Sequence, residues 1–323
     1  PDIVKEIRAE QRDFRFNYDD ELITKKLLRG GKNWDLDSSV KNCMKEIQGA
    51  FSVAGLTESG ELFAFRDPYG IRPLCCGCHK KGACAVSSET VGLDINGFDF
   101  NFEVNPGELV VAQKDGFERK QLCTGERKAL CAFEFAYFAR PDSRLGDRYV
   151  YEAREAFGRN FAWEFPETTS KVDIIMSMPE TGNDAAYGYH ELTGIRWERA
   201  SRRHRYVAER AFILLSEQRH DTIDRKINIV DHKLTGKNVA VVDDSIVRGD
   251  TTKIVVKKLR QMGAEKVFLF ITFPRIIGPC FYGVDMATYR ELIGSQHDAE
   301  EIAEIVGADA VHYQSVEGLV KAT

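Results

Sequence analysis

Three short, almost continuous apolar runs restrict what the second half of this chain can fold into. Val172–Met178, Val239–Val242 and Lys266–Thr272 lack the alternation of a half-exposed strand, as expected of parallel strands covered on both faces. Between the last two runs, Thr252–Met262 places apolar residues on one helical face, and Gly263 is suited to end the helix. Such strand–helix–strand units predict a doubly wound α/β domain.

The first half of the chain has a different pattern. Residues 1–50 favour helices, and the clearest apolar spacing is at Glu21–Leu28 and Val40–Ile47. Short apolar runs bounded by turn residues then predict strands at Phe51–Leu56, Leu62–Phe65, Ala83–Ser87 and Glu108–Gln113. We therefore predict a layered sheet domain with helices over residues 1–124 and an α/β domain over residues 125–323.

Composition excludes some classes of function. The net charge of −5 argues against a general nucleic-acid binder, which has a basic excess. The apolar runs are too short to cross a bilayer, and no signal-peptide pattern is visible, so we expect a cytoplasmic protein that is not membrane-bound. The eight cysteines form no regular disulfide framework and are expected to stay reduced.

One loop carries the clearest chemistry, the segment Val241-Val-Asp-Asp-Ser-Ile-Val-Arg-Gly-Asp-Thr-Thr252. An apolar strand ends in two carboxylates, which suit ribose hydroxyls directly or through Mg²⁺. A glycine and small hydroxyl residues then lead into a helix, whose N-terminus attracts phosphate. Ligand sites in open α/β sheets lie at this end of the strands.

Other interpretations of this loop fit less well. Two adjacent aspartates are often plain turn and cap residues, but here a phosphate cradle follows them. A receiver-type domain also ends a strand in paired acids, and it does not need the Arg248–Thr252 cradle. A P-loop nucleotide hydrolase would need a G-x-x-x-x-G-K-[ST] motif, which the sequence lacks.

The loop resembles the type I phosphoribosyltransferases, and three further segments narrow the resemblance. Phe65–Leu74, Ala85–Thr90, Phe135–Ser143 and Val241–Gly249 together resemble, in order, the amidophosphoribosyltransferases, or glutamine phosphoribosylpyrophosphate (PRPP) amidotransferases. The resemblance implies a partial Ntn-type αββα glutaminase-like domain followed by a type I phosphoribosyltransferase doubly wound α/β domain. It also implies formation of 5-phosphoribosylamine from PRPP in de novo purine synthesis.

The resemblance also implies site residues. It assigns PRPP binding to the loop and a basic segment before it: Asp243, Asp244, Ser245, Val247, Arg248, Gly249, Asp250, Thr251, Thr252, Arg203, Arg205 and Tyr206. The Mg²⁺ of bound PRPP would be held by Asp243, Asp244 and Thr181, although a plain helix N-cap is an alternative role for Thr181.

The basic segment Arg202–Val207 matches a loop that closes over PRPP in the family, and a solvated basic helix is the alternative. The following Ala208–Gln218 departs from the family pattern, with one residue inserted, an extra acid at Glu209 and a proline lost. The departure puts the geometry of loop closure, and therefore the rate of transfer, in question.

Two groups of cysteines invite a metal interpretation. Cys131 and Cys280 match two of four ligands of the [4Fe-4S] cluster in one branch of the family, but the other two would lie beyond Lys321, so the set is incomplete. Cys75, Cys76, Cys78 and Cys84 lack the usual spacing of a zinc site, and small buried thiols are the preferred interpretation.

The first domain matches only the later part of the family's glutaminase domain. Asp19 matches the acid that binds the amino group of glutamine, although it could be a simple N-cap. The family mechanism uses an N-terminal cysteine whose amine serves as base, and this sequence begins with Pro1. We therefore expect that this chain alone does not hydrolyse glutamine.

Three functions remain open at this point. The first is an amidophosphoribosyltransferase acting on PRPP with ammonia or glutamine; the second is a non-catalytic PRPP- or nucleotide-binding regulatory paralogue. A salvage phosphoribosyltransferase is the third, and the extra sheet domain disfavours it. For the first, the expected cofactor is Mg²⁺, and the expected partners are purine nucleotide inhibitors and further copies of the chain in a homo-oligomer.

Overall fold

The computed structural model describes residues 19–29, 34–114, 116–203, 227–230, 233–284, 286 and 288–323. The chain divides into two compact units, one of residues 1–131 with 143–146, the other of residues 132–142 with 147–323. The boundary expected between residues 124 and 125 stays a prediction. Among the described residues, no helix combines the length and apolar character that a membrane crossing needs.

The first unit combines short helices with antiparallel strands. Its helices are α1 (Asp19–Leu27), α2 (Leu36–Glu46) and α3 (Thr90–Asp94). Its strands are β1 (Ser52–Leu56), β2 (Leu62–Arg66), β3 (Cys75–Cys78), β4 (Cys84–Ser87), β5 (Asp99–Glu103), β6 (Glu108–Gln113), β7 (Gly116–Gln121) and β8 (Arg144–Leu145). They form one sheet in the order β1-β2-β6-β7 and another in the order β4-β3-β5.

Alternation along the strands sorts the side chains of this unit into layers. On β2, Phe63 and Phe65 pack with residues of α1 and α2, such as Leu27 and Val40, on the outer face of the first sheet. Ala64 points to the opposite face, where the two sheets meet in a second apolar cluster. Helix α3 lies on the outer face of the second sheet, so the layers run helix, sheet, sheet, helix.

A buried arginine fixes the irregular segment between β2 and β3. The Arg66 guanidinium donates to the carbonyl oxygens of Gly70 (2.9 Å), Arg72 (2.6 Å) and Val104 (2.8 Å). The Asp67 carboxylate accepts two backbone N–H groups of the same segment. These bonds take the place of regular secondary structure, since buried backbone groups must be paired.

The second unit alternates helices and strands. After a short π-helix at Glu134–Phe138, its helices are α4 (Val150–Glu164), α5 (Pro166–Thr169), α6 (Gly182–Thr193), α7 (Asp250–Gln261), α8 (Ile293–Gln296), α9 (Ala299–Val306) and α10 (Val316–Ala322), and a 3₁₀ turn spans Tyr289–Glu291. Its strands are β9 (Arg148–Tyr149), β10 (Ile174–Ser177), β11 (Arg196–Trp197), β12 (Ser201–Arg203), β13 (Ile227–Ile229), β14 (Asn238–Asp243), β15 (Lys266–Ile271) and β16 (Ala310–Tyr313).

Five of these strands form a parallel sheet in the order β11-β10-β14-β15-β16. One face packs on α7 and α9, with Val241 of β14 in that cluster. The other face packs on α4 and α6, with the next residue, Val242, in that cluster. The predicted doubly wound α/β class is confirmed, and the absence of polar alternation in the strands follows from burial on both sides.

Local boundaries agree closely with the sequence patterns in this unit. The predicted strands at Val172–Met178, Val239–Val242 and Lys266–Thr272 correspond to β10, β14 and β15. The predicted helix Thr252–Met262 is α7, which begins two residues earlier than expected because Gly249 already turns the chain with a φ of +86°. Gly263 follows the helix with a φ of +84°, as expected of a terminating glycine.

Helices α4 and α6 approach each other through glycine. A Cβ added to Gly158 of α4 would lie 1.8 Å from the carbonyl oxygen of Ala185, and one added to Gly188 of α6 would lie 2.0 Å from that of Glu155. Neither position has room for a methyl group, so the two backbones are in direct contact. This contact fixes the position of α6, whose first residue follows Thr181.

His312 gives this unit a testable pH dependence. Its ring lies on β16, with ring centroids 4.3 Å from Phe165 and 5.0 Å from Phe270, and among the described residues its Nε2 atom has no hydrogen-bond partner. Burial lowers its pKa from 6.5 to about 4. The folded state therefore binds fewer protons than the unfolded state, and its stability falls as the pH drops from about 6.5 towards 4.

We expect His312→Phe to remove this acid sensitivity. The substitution leaves the free energy of unfolding near pH 7 little changed, and near pH 4 it stabilises the protein by at most about 3 kcal/mol. Urea unfolding measured at several pH values tests this. Parallel pH profiles for the two proteins would show that His312 does not titrate with folding.

Candidate functional site

Two loops meet at the carboxyl ends of β10 and β14. The backbone N–H of Met178 donates to the carbonyl of Val242 over 2.8 Å, so the end of one strand lies beside the end of the other. Gly182 begins α6 against β14, where an added Cβ would lie 2.5 Å from the Val242 oxygen. A glycine is required for this approach, which brings Thr181 to the acidic residues of the loop.

An acid and two hydroxyls form the centre of the site. Thr181 Oγ1 donates to Asp244 Oδ2 at 2.5 Å, and Ser245 Oγ donates to Asp244 Oδ1 at 2.6 Å. Asp243 Oδ1 accepts the backbone N–H of Asp244 at 2.9 Å. Within the described part of the chain, Thr181 makes no capping hydrogen bond to α6, so its hydroxyl is used for the acid instead.

Both carboxyls are difficult to ionise in this environment. Burial, and then the charge of Asp244, raise the pKa of Asp243 well above its ordinary value. Burial also raises the pKa of Asp244, although hydrogen bonds from Ser245 and Thr181 and the charge of Arg154 oppose that shift. Two neighbouring carboxylates whose ionisation is this costly are stabilised by a cation, or by hydroxyl groups of a ligand, bound beside them.

The segment after Ser245 turns into α7 and forms a cradle. Gly249 has a φ of +86°, which a residue with a Cβ rarely adopts, and an added Cβ would lie 3.2 Å from the Ile293 side chain. Helix α7 starts at Asp250 and runs for 12 residues, so its first turn presents backbone N–H groups and a positive dipole end at the carboxyl edge of the sheet. Thr251 is half-buried and Thr252 is buried in this turn.

A second segment, residues 288–293, contacts the cradle on the side away from β10 and α6. Arg248 Nη2 lies 2.5 Å from Glu291 Oε1, and the Glu291 carboxylate also accepts from Thr288 Oγ1 at 3.0 Å. The backbone N–H of Ile293 donates to the carbonyl of Val247 at 2.9 Å. The loop is thus held on one side by β10 and α6, and on the other by residues 288–293.

The remaining predicted residues are not brought to this centre by the described structure. Arg203 ends β12, while its side chain, Arg205, Tyr206 and the segment Ala208–Gln218 lie outside the described residues. Asp19 begins α1, and its side chain is also outside them. Cys131 belongs to the first unit and Cys280 to the second, so the predicted pair of cluster ligands stays a prediction. No group of three or more histidine, cysteine or acidic residues suited to a metal occurs in the described ranges.

Comparison with known proteins decides the family. Over 338 residues the chain is 36% identical to the amidophosphoribosyltransferase of Methanocaldococcus jannaschii, an alignment that covers 99% of this chain and 70% of that protein. This chain belongs to the amidophosphoribosyltransferase family. Residues 1–94 match the family model of a glutamine amidotransferase domain.

Further members of the amidophosphoribosyltransferase family support this assignment. The Bacillus subtilis enzyme is 37% identical over 309 residues, which are 95% of this chain and 63% of that protein. The solved B. subtilis glutamine PRPP amidotransferase, in complex with ADP and GMP, superposes with a TM-score of 0.89 at 35% identity, over 99% of this chain and 69% of the other. The chain therefore spans roughly two thirds of the length of these amidophosphoribosyltransferases.

Three residues at this candidate site were not predicted. Gly182 has a visible signal, because a glycine at the start of a helix that follows a buried strand often marks a close backbone approach. Arg154 is buried on α4 and donates to the carbonyls of Phe135 (2.8 Å) and Ala139 (2.7 Å). No local pattern singles out Arg154 or Glu291, since each acts on residues distant in sequence.

Proposed function

We propose that this chain binds PRPP at the Val241–Thr252 loop and transfers its phosphoribosyl group to ammonia, giving 5-phosphoribosylamine and pyrophosphate for de novo purine synthesis. The observation that carries this is the acid pair, with Asp244 buried and Asp243 half-buried, together with Thr181 and Ser245, directly before the N-terminus of α7. Family membership supports it. Binding of glutamine, with Asp19 at its amino group, is supported by the match of residues 1–94 to a glutamine amidotransferase domain.

Each part of the site suits one part of PRPP. Backbone N–H groups at the start of α7 suit the 5-phosphate, and Thr251 and Thr252 add hydroxyl donors. The carboxylates of Asp243 and Asp244 suit the two ribose hydroxyls. As ammonia displaces pyrophosphate, positive charge develops on the ribose ring, and the nearby carboxylates favour that charge.

The same residues fit a divalent cation. Carboxylate and hydroxyl oxygens are the ligands that Mg²⁺ prefers, and Mg²⁺ is commonly held by one or two carboxylates together with substrate phosphates. Asp243, Asp244 and Thr181 would hold Mg²⁺, which supplies charge neutralisation for the departing pyrophosphate. Burial is the main cause of the raised pKa of both acids, and a bound cation would lower the cost of ionising them.

The partners follow from the same proposal. ADP and GMP are bound by the B. subtilis enzyme, and we extend purine nucleotide binding to this chain. Arg203, Arg205 and Tyr206 complete the proposed PRPP contacts. A cytoplasmic homo-oligomer is the expected form.

An assay with PRPP and Mg²⁺ tests the proposal directly. We expect pyrophosphate release that depends on ammonium ions, together with a product of the mass of phosphoribosylamine. PRPP binding without pyrophosphate release would contradict catalysis and favour a regulatory protein. Release that depends instead on a free purine base would indicate a salvage enzyme. Asp243→Asn serves as the inactive control.

A smaller effect is expected from the Thr181 hydroxyl. Thr181→Val removes the donor that orients Asp244, and a hydrogen bond to a charged group contributes about 1.4 kcal/mol, so the KM for PRPP should rise about tenfold. Thr181→Ser keeps the hydroxyl and is the matched control. Steady-state kinetics with varied PRPP concentration give the KM of the wild type and of both variants. Equal KM values for the Thr181→Val variant and the wild type would show that the hydroxyl has no part in binding.

A further inference from the structure

Two cysteines of the first unit face each other across a hairpin. Strands β3 and β4 are antiparallel, and their register places Cys78 directly opposite Cys84. The two sulfur atoms are 3.5 Å apart. Both residues are half-buried, at the turn end of the hairpin, whereas Cys75 and Cys76 on the same strand are buried.

The backbone geometry at this position suits a disulfide. The neighbouring pair is hydrogen-bonded, because the His79 N–H donates to the Ala83 carbonyl at 2.8 Å. Cys78 and Cys84 therefore form the next, non-hydrogen-bonded pair, and the Cys78 N–H donates to Asn101 instead. In such pairs the Cα atoms are about 4.5 Å apart, which lies within the range that disulfides span. Side-chain rotation alone could join the sulfurs.

The two thiols have different surroundings. Asn101 accepts the Cys78 N–H with Oδ1 at 3.1 Å, which fixes its amide so that Nδ2 donates to the Cys78 sulfur at 3.5 Å. The Cys78 sulfur thus faces an amide donor. The Cys84 sulfur instead donates to the carbonyl of Gly116 at 3.3 Å.

We propose that Cys78 and Cys84 are a redox-active dithiol, which small disulfides such as oxidised glutathione convert to an intrachain disulfide. Cys78 is the attacking thiol and Cys84 the resolving thiol. The site is separate from the proposed PRPP chemistry. A metal-binding alternative lacks a third ligand within the described residues.

The exchange proceeds in two balanced steps. The Cys78 thiolate attacks one sulfur of the small disulfide, forming a mixed disulfide and releasing one small thiolate. Cys84 then loses its proton to solvent, and its thiolate attacks the Cys78 sulfur and releases the second small thiolate. Overall two protein thiols are oxidised, one small disulfide is reduced, and the two protons go to the small thiolates.

The other thiols of this unit explain the expected selectivity. Burial raises the pKa of Cys43 and of Cys75 to about 12, so neither supplies thiolate at neutral pH. Burial and the neighbouring Cys78 raise the pKa of Cys84 to about 11, which suits a resolving thiol that reacts only once it is held beside a mixed disulfide.

Oxidation of the full chain with oxidised glutathione tests this site. We expect the thiol count, titrated after denaturation, to fall by two from the eight cysteines of the sequence, and dithiothreitol to restore it. Peptide mapping should find Cys78 linked to Cys84. No loss of thiols, or a disulfide between other residues, would overturn the proposal.

Single variants separate the two roles. Cys84→Ser should accumulate a mixed disulfide with glutathione at Cys78, because nothing resolves it. Cys78→Ser should remain unmodified at Cys84. The reverse result would overturn the assigned roles, and modification of neither variant would overturn the site. Cys123→Ser, which removes another half-buried thiol of the same unit, is the matched control and should still lose two thiols.

Discussion

Asp243→Asn is expected to reduce ammonia-dependent pyrophosphate release about 100-fold or more while making the protein more stable. Asparagine keeps the oxygen that accepts the Asp244 N–H but loses the charge proposed to bind the cation and ribose. An ionised Asp243 is costly, because it is half-buried beside a second carboxylate. Its removal should increase the free energy of unfolding by about 1 kcal/mol at pH 7.

The stability gain from Asp243→Asn should depend on pH in a defined direction. The pKa of Asp243 is raised in the folded state, so the unfolded state gives up its proton first as the pH rises from about 4. The increase in the free energy of unfolding caused by Asp243→Asn should therefore be present at pH 7. It should disappear below about pH 4, where Asp243 is protonated in both the folded and the unfolded state. Urea unfolding at the two pH values measures it.

A carboxylate beside the amino end of β14, the end opposite Asp243, provides the control. Asp173 Oδ2 accepts the backbone N–H of Asn238 at 2.8 Å, at the amino end of β14. Asp173→Asn should leave pyrophosphate release near the wild-type rate. An Asp243→Asn protein that keeps its activity would show that the acid pair is not the PRPP site.

Gly158→Ala should cause a large loss of stability in the second unit. The new Cβ would lie 1.8 Å from the Ala185 carbonyl oxygen and 2.7 Å from the Tyr189 nitrogen, both of them backbone atoms. Helices α4 and α6 must separate to admit it. Overpacking of this kind costs about 3 kcal/mol, which outweighs the gain of about 1 kcal/mol from the better helix propensity of alanine.

Urea unfolding followed by tryptophan fluorescence checks this, since Trp163 and Trp197 lie in the same unit. Gly278→Ala is the control, because its Cβ would meet only the Tyr289 side chain, at 3.9 Å or more. A Gly158→Ala protein within about 0.5 kcal/mol of wild type would mean that the two helices have room to move apart.

Periodicity predicted the three central strands of the second unit's parallel sheet but not its edge strands β11 and β16, and it predicted part of the first unit. A buried parallel strand is an uninterrupted apolar run, so β10, β14 and β15 were visible from their residues. In the first unit β3, β5 and β7 were not predicted. Strand β3 consists of three cysteines and a glycine, and β7 is largely polar, so neither carries an apolar pattern. Strand β5 does alternate, with Phe100 and Phe102 between polar residues, and that signal was overlooked.

The residues of the candidate site also differ in how far the sequence predicts them. The acids, Ser245 and the glycine of the cradle are contiguous in sequence, so their joint role follows from a strand that ends in a loop before a helix. Thr181 was predicted only through the family resemblance, and the structure places its hydroxyl on Asp244. The contact of Arg248 with Glu291 joins residues 43 apart in sequence, which no local pattern can predict.

The three carbonyl bonds of Arg66 have a consequence for protease digestion. The segment between β2 and β3 has no regular secondary structure, which normally marks a site where proteases cut. Cleavage requires the backbone to leave its position and extend into the protease, and here that would break several buried hydrogen bonds at once. Limited digestion should therefore spare residues 67–74, and Arg66→Ala should make this segment a new point of cleavage.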